Sequence, residues 1–409
     1  MKAASIAIVA VAAVAIMVGG EKAASAQQTP PATSSPAASK TATPAPTPTP
    51  TATPYASGTI GGDLLVFGVS TNNTNATGAL DTPTGADKQS RADVSDMLVN
   101  GSLTSGYYKV SATLGGYNFP TIGTAINSTF NNYKSVSGNA TCANTSCYTL
   151  APLWQVGYTS PDQHINIYGG QIGTLLGAEG AFTYQNVNIE RGLGWALEPV
   201  FSRGVHVGYT NGPWTVAAEY NDGFYSGSWR TIEYEVAWAP SSTTSWTFVG
   251  MNPGANVPGN ATSFIANQSE YNLMYSHTAG RWTFSPYALY VSSPASAANG
   301  YTTTEGDYAI SLLGSYAFSS SISVGFRVED AENLAATNDF SPNAFLLYGP
   351  GSGAWTYTLT PTYKFAGNGI IRFEWGHVTV HNGFGGALFG PAGLTTYQNR
   401  FGFELGAMK

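Results

Sequence analysis

From about residue 60 to the C-terminus, apolar and polar residues alternate with a period of two in one stretch after another. Successive side chains of a strand point to opposite faces, so each stretch builds a ribbon with one apolar and one polar side. Trp355, Tyr357 and Leu359 interleave with Thr356, Thr358 and Thr360, and the pattern runs on through Tyr363, Lys364 and Phe365. Ile322, Val324, Phe326 and Val328 alternate with Ser323, Gly325, Arg327 and Glu329. The same holds for Ile371, Phe373 and Trp375 against Arg372, Glu374 and Gly376, and for residues 231–238 and 214–220. Strands are expected near 61–70, 93–103, 107–115, 151–159, 163–171, 203–211, 213–221, 229–239, 244–250, 268–277, 281–290, 306–318, 321–330, 354–365, 369–379 and 398–407. Each is close to the roughly 9–11 residues that a tilted strand needs to cross a bilayer.

The connections fall into two interleaved classes. Tight ones sit at 104–106, 160–162, 211–212, 241–243, 278–280, 319–320 and 366–368; longer ones sit at about 71–92, 116–150, 172–202, 222–228, 251–267, 291–305, 331–353 and 380–397. Short turns on one side and longer loops on the other are the pattern of a transmembrane antiparallel β-barrel, here of sixteen strands, with short periplasmic turns and longer extracellular loops. Backbone groups left unpaired in hydrocarbon cost several kcal/mol each, so a sheet spans lipid only when it closes on itself. Only 10% of the 409 residues are charged, against 43% hydrophobic, which argues against the alternative of a soluble sandwich or surface adhesin. A polytopic helical protein is excluded, because the only long apolar run is residues 3–20. Tyr107, Tyr220, Trp238, Trp246, Tyr290 and Trp355 fall at strand ends, where aromatic girdles meet the lipid interfaces.

Lys2, the apolar run and Ala24-Ser25-Ala26 read as a signal peptide over residues 1–26, with an uncleaved anchor as the other reading. Residues 27–58 form a Pro/Thr-rich spacer that cannot bury a core and should be extended and disordered. The barrel then occupies 59–409. Cys142 and Cys147, the only cysteines, stand four residues apart in a polar stretch of an exported chain, and a disulfide stapling that loop is expected rather than a metal site.

Several segments resemble a known family. Residues 171–179 (Gln-Ile-Gly-Thr-Leu-Leu-Gly-Ala-Glu), followed by Asn186 and by Pro199, Gly204 and Val205, resemble the middle of the OmpL-like family of outer-membrane β-barrel porins. Arg327-Val328-Glu329-Asp330, residues 358–365, Arg372-Phe373-Glu374 and Gln398-Asn399-Arg400-Phe401 resemble successive strands of its C-terminal third. The resemblance covers roughly residues 60–409 and implies passive diffusion of small hydrophilic solutes through a water-filled channel in the bacterial outer membrane. One departure concerns the barrel insertion machinery, a required partner. Many such barrels end in an aromatic residue that this machinery reads, whereas here Phe401 and Phe403 are followed by Met408 and Lys409.

Turning the polar face inward makes Lys109, Glu219, Glu233, Glu235, Glu270, Arg327, Glu329, Lys364, Arg372, Glu374, Arg400 and Glu404 pore-lining. These are five positive and seven negative side chains. Residues 1–55 carry a net +2 (Lys2, Lys22 and Lys40 against Glu21), so the chain's −7 leaves −9 on the barrel and predicts a weak preference for cations. The loop at 172–202 is unusually apolar (Leu175, Leu176, Phe182, Tyr184, Leu193, Trp195, Leu197). It is expected to fold into the lumen and set the constriction through Glu179, Glu190, Arg191 and Glu198, or else to pack across the barrel mouth or against a neighbouring subunit. No catalytic or nucleotide motif is present, and the five histidines are scattered, with His377 and His381 at a strand end. No enzyme activity, metal, cofactor or nucleic-acid partner is expected. The remaining alternative is a plugged barrel serving as surface antigen, adhesin or envelope tether. Outer-membrane lipids surround either form; homo-trimers are common among wide barrels, but no feature of the chain fixes the oligomeric state.

Overall fold

The computed structural model describes residues 56–74, 89–124, 150–224, 227–254, 268–295, 303–335, 348–365 and 368–408. The segment read as a signal peptide, nearly all of that read as a spacer, and Cys142 and Cys147 with their expected disulfide lie outside the described residues. Sixteen strands follow in order: β1 (Ser57–Thr71), β2 (Ser90–Ser105), β3 (Tyr108–Tyr117), β4 (Leu153–Thr159), β5 (Ile165–Gly173), β6 (Phe201–Asn211), β7 (Trp214–Asn221) and β8 (Thr231–Ser241). Then come β9 (Thr244–Pro253), β10 (Ser269–Ala279), β11 (Trp282–Ser293), β12 (Glu305–Ala317), β13 (Ile322–Asn333), β14 (Gly353–Phe365), β15 (Gly369–His381) and β16 (Tyr397–Met408). Every strand pairs antiparallel with its sequence neighbours, and β1 pairs with β16 from Asp63↔Met408 to Thr71↔Arg400, which closes the barrel. Tight turns and longer loops alternate as the sequence requires. At Asn211-Gly212 the turn needs φ +57°, a conformation glycine adopts without strain.

The alternation resolves into two faces. Leu64, Val99, Val156, Val207, Val236, Ile310, Leu359, Phe373 and Leu405 point outward and form an apolar band around the wall. Trp214 and Trp375 belong to that band, while Glu235 and Arg372 on neighbouring positions are buried inside. Aromatic rings gather at the strand ends. On the turn side Trp214 stacks on Trp238 at 5.7 Å, and Trp246 meets Tyr275 at 4.3 Å and Trp282 meets Tyr316 at 4.6 Å. Tyr220 with Trp229 marks the loop side. The band is a lipid-facing surface, so Val236→Lys, at mid-strand in β8, should destabilise the folded barrel by about 2–4 kcal/mol. Urea unfolding in lipid vesicles measures this, and an unchanged midpoint would contradict the outward placement.

Several strands outrun their expected ends. β1 starts at Ser57, inside the segment read as spacer, and β2 spans Ser90–Ser105. Backbone pairing continues there (Ser57↔Thr104, Gly58↔Leu103) beyond the region in which lipid demands an apolar side chain.

Candidate functional site in the barrel lumen

The connection between β5 and β6, residues 174–200, leaves the wall and crosses the lumen. It contains two 3-10 turns, Thr183–Gln185 and Gly194–Leu197, and most of its apolar side chains are buried. A chain without strand or helix must find partners for its backbone groups elsewhere. Here the barrel wall supplies them, and the charged inward residues are what it uses.

Three wall carboxylates each accept donors from consecutive residues. Glu374 on β15 accepts the N–H groups of Ile189 (2.6 Å) and Glu190 (2.9 Å). Glu329 on β13 accepts those of Leu193 (2.7 Å) and Gly194 (2.9 Å), along with the hydroxyls of Ser311 and Thr356. Glu233 on β8 accepts the Leu175 N–H and the Thr174 hydroxyl, both at 2.8 Å. Asn272 on β10 accepts the Gly177 N–H through Oδ1, and Gln268 donates to the Leu197 carbonyl. Asp96 on β2 accepts from Thr183 and Tyr184.

The arginines take the carbonyls and the segment's own acids. Arg327 pairs with Glu179 at 2.7 Å and donates to the Glu190 carbonyl and to Thr358. Arg372 pairs with Glu404 on β16 and donates to the carbonyls of Thr183, Asn186 and Asn188. Arg400 pairs with Glu190 at 2.5 Å and donates to the carbonyls of Thr121 and Thr124. Arg191, on the segment, donates to the carbonyls of Gly180 and Ala181 and lies over the Phe119 and Trp195 rings at 5.7 and 5.6 Å. Burial pulls its guanidinium down to about 10, against the pull of Asp96 and Glu179, so it remains charged at neutral pH.

The structure therefore brings Glu233, Arg327, Glu329, Arg372, Glu374, Arg400, Glu404, Glu179, Glu190 and Arg191 into one network. Glu219 binds the His206 ring at 2.9 Å, and Glu235 and Glu270 are buried on the same side. Lys109 and Lys364 stand apart, exposed at the turn end of the wall. Two features had little sequence signal. Residues 118–124, after β3, also enter the lumen, where Thr121 pairs with Arg191 in a parallel bridge and Tyr348 donates to the Gly123 carbonyl. Near the loop end the inward wall turns apolar: Leu289, Val291, Ala309, Ala331, Ala354, Val378 and Val380 pack with Ile122, Leu193, Leu197, Leu388 and Phe389. At mid-height the wall charges thus face the inserted segment more than water.

Burial pushes the Glu198 carboxyl well above the ordinary carboxylate range, and the nearby Glu270, Glu179 and Glu329 add to the push. Such a group binds its proton more tightly docked than free. Its contribution to docking is complete below the ordinary carboxylate pKa and is lost as pH rises through the raised value. Proteolysis within 174–200 should therefore quicken as pH rises above the ordinary carboxylate range, and Glu198→Gln should flatten that rise. A flat wild-type profile would contradict it.

A family model described as "Putative beta-barrel porin-2, OmpL-like" matches residues 59–408. Among solved structures the chain is similar to an anion-selective porin from Comamonas acidovorans, at 12% identity and a TM-score of 0.56, over 87% of this chain and 100% of that one. It is similar to the in-vitro-folded trimer form of OmpT of Vibrio cholerae, at 12% identity and a TM-score of 0.54, over 87% of this chain and 99% of that one. It is also similar to the outer-membrane channel DcaP of Acinetobacter baumannii, at 10% identity and a TM-score of 0.54, over 87% of this chain and 97% of that one. No curated protein matches the chain. At these identities the structural likeness speaks to the fold.

Proposed function

Because the chain belongs to the OmpL-like family of β-barrel porins, we propose that it passes small hydrophilic solutes down their gradients through a constriction set by the segment at 174–200. Its place is the bacterial outer membrane, and its architecture is that of a porin channel. The observation that supports the constriction is the docking of this segment to both sides of the wall, at Glu233 and Asn272 on one and at Glu329 and Glu374 on the other. Charge on a wetted wall selects among solutes without binding them tightly. The wall positions read from the sequence, seven acids against five bases, with Asp96 as a further inward acid, favour cations weakly, so the anion selectivity in the name of the Comamonas porin is not carried over. No covalent chemistry on the solute is proposed. Homo-trimeric assembly is part of the proposal, in keeping with the trimer form of OmpT; the mass of the detergent-extracted complex tests it.

One observation favours a second reading. The wall side chains at mid-height, Glu233, Glu270, Arg327, Arg372 and Arg400 among them, are almost wholly buried. A barrel locked in this form would pass no current and would serve as a surface antigen, adhesin or envelope tether. Single-channel recording with neutral solutes of graded size separates the two, since a size cut-off supports the porin and silence in all conditions supports the plug.

A further inference from the structure

The outer wall carries charges of its own at its loop-side edge. Arg203 follows the outward alternation of β6 with Val205, Val207 and Tyr209, and its side chain is 47% exposed. The Asp222 N–H donates to the Arg203 carbonyl and the Arg230 N–H to the Asn221 carbonyl, so the ladder runs on past the ends of β7 and β8. With Gly204 opposite Asn221, and Asn221 opposite Thr231, the residues Arg203, Asp222 and Arg230 stand in one row across three neighbouring strands. Asp222 is wholly buried and holds Arg203 in place, accepting from its backbone N–H at 2.9 Å and from Nε and Nη2 at 2.8 and 2.7 Å. One carboxylate between two guanidinium groups leaves the row positive. One step toward the turns lie Val205, Tyr220 and Ile232, all exposed in the apolar band. The row therefore marks the edge of the lipid-facing surface, where the head groups of the outer leaflet begin. On β13 the same edge has the other sign, with Asp330 and Glu332 in the outward alternation and His381 paired to Glu332.

An arginine at an apolar boundary carries its guanidinium to the polar side, and its planar fork matches two phosphate oxygens at once. Arg203 and Arg230 are two strand spacings apart, about 10 Å between backbones, a gap that their side chains can close around one head group. We propose that Arg203 and Arg230 clamp the phosphate of a glycolipid head group in the outer leaflet, with Asp222 positioning Arg203. The apolar band directly below the row favours a phosphate that brings acyl chains with it over phosphate from solution. The Tyr220 and Trp229 rings, 6.1 Å apart and both exposed, flank the row and suit the apolar face of a sugar. The clamp lies outside the wall and is indifferent to whether the lumen conducts.

The test uses the full-length barrel in dodecyl maltoside micelles, with lipid binding read by native mass spectrometry. The probes are a glucosamine-disaccharide lipid bearing its phosphates, the same lipid dephosphorylated, and inorganic phosphate. The wild type should bind the phosphorylated lipid about tenfold or more tighter than the dephosphorylated one, and inorganic phosphate in about a hundredfold excess should not displace it. Arg230→Gln, which leaves the Arg203–Asp222 pair intact, should weaken binding about fivefold, and Arg203→Gln/Arg230→Gln about thirtyfold. Arg203→Lys/Arg230→Lys keeps the charge without the fork and should fall between the wild type and the glutamine pair. Glu332→Gln, on the acidic part of the edge, should bind as the wild type does. Equal affinity for the two lipids, wild-type binding by the glutamine pair, or an equal loss in Glu332→Gln overturns the clamp. Displacement by inorganic phosphate also overturns it and assigns the two arginines to a free anion. None of these results touches the channel, which conductance tests separately.

Discussion

Deleting residues 178–196 should raise the single-channel conductance about three- to tenfold, toward that of a wide sixteen-stranded pore. The deletion removes the part of the segment that spans the lumen, including both 3-10 turns up to Ala196, and leaves the barrel wall intact. Its ends are already neighbours, because the Glu198 carboxylate rests against Gly177. Joining them therefore asks little of the strands on either side. The wall charges that lose their partners, Arg327, Glu329, Arg372 and Glu374, do not become buried and unpaired, since water takes the vacated space and solvates them. Conductance in planar bilayers, with the size cut-off for neutral solutes, is the measurement. A shortened barrel that conducts as the wild type does would show that the segment does not limit flow.

Arg327→Met should loosen the docked segment by about 3–5 kcal/mol, the usual cost of stranding one partner of a buried ion pair. Arg327 is 0% exposed and joins the Glu179 carboxylate, the Glu190 carbonyl and Thr358 at one point. Without it Glu179 stays buried beside Glu329 with no arginine at hydrogen-bonding distance on the wall, and burial already raises its carboxyl above the ordinary range. Proteolysis within 174–200 should accelerate by roughly a hundredfold or more if cleavage follows the open population, and recordings should show frequent transitions to larger conductance. Adding Glu179→Gln removes the stranded charge and should recover part of the loss. Cleavage at the wild-type rate in the single variant would mean that the backbone clamps alone hold the segment.

Barrel, strand number and facing were legible because lipid imposes one rule on every strand: Phe373 must be apolar and Arg372 must not share its side. The inserted segment was legible in outline from its excess of Leu, Phe and Trp. The partners were not. Glu233, Glu329 and Glu374 read as charges facing water, and nothing local marks them as acceptors for backbone N–H groups far away in sequence, 58 residues for Leu175 to Glu233 and 136 for Leu193 to Glu329. Asn272 and Gln268 could have been noticed, since they flank Glu270 at a spacing of two and so share its face. Residues 118–124 gave no cue, because their entry into the lumen is fixed by Arg400 and Arg191 from distant parts of the chain. The apolar patch near the loop end escaped for another reason. Val378 and Val380 satisfy the alternation equally well whichever way they point.

The acidic clamps grip main-chain N–H groups that every residue except proline possesses. Those grips at Ile189, Glu190 and Leu193 would thus accept other residues, and what ties the side chains down there is separate: the Arg400 pair for Glu190 and apolar packing for Ile189 and Leu193. A lineage could exchange the exposed side chains of the crossing strap, such as Val187, and alter what is admitted while its anchoring acids stay put.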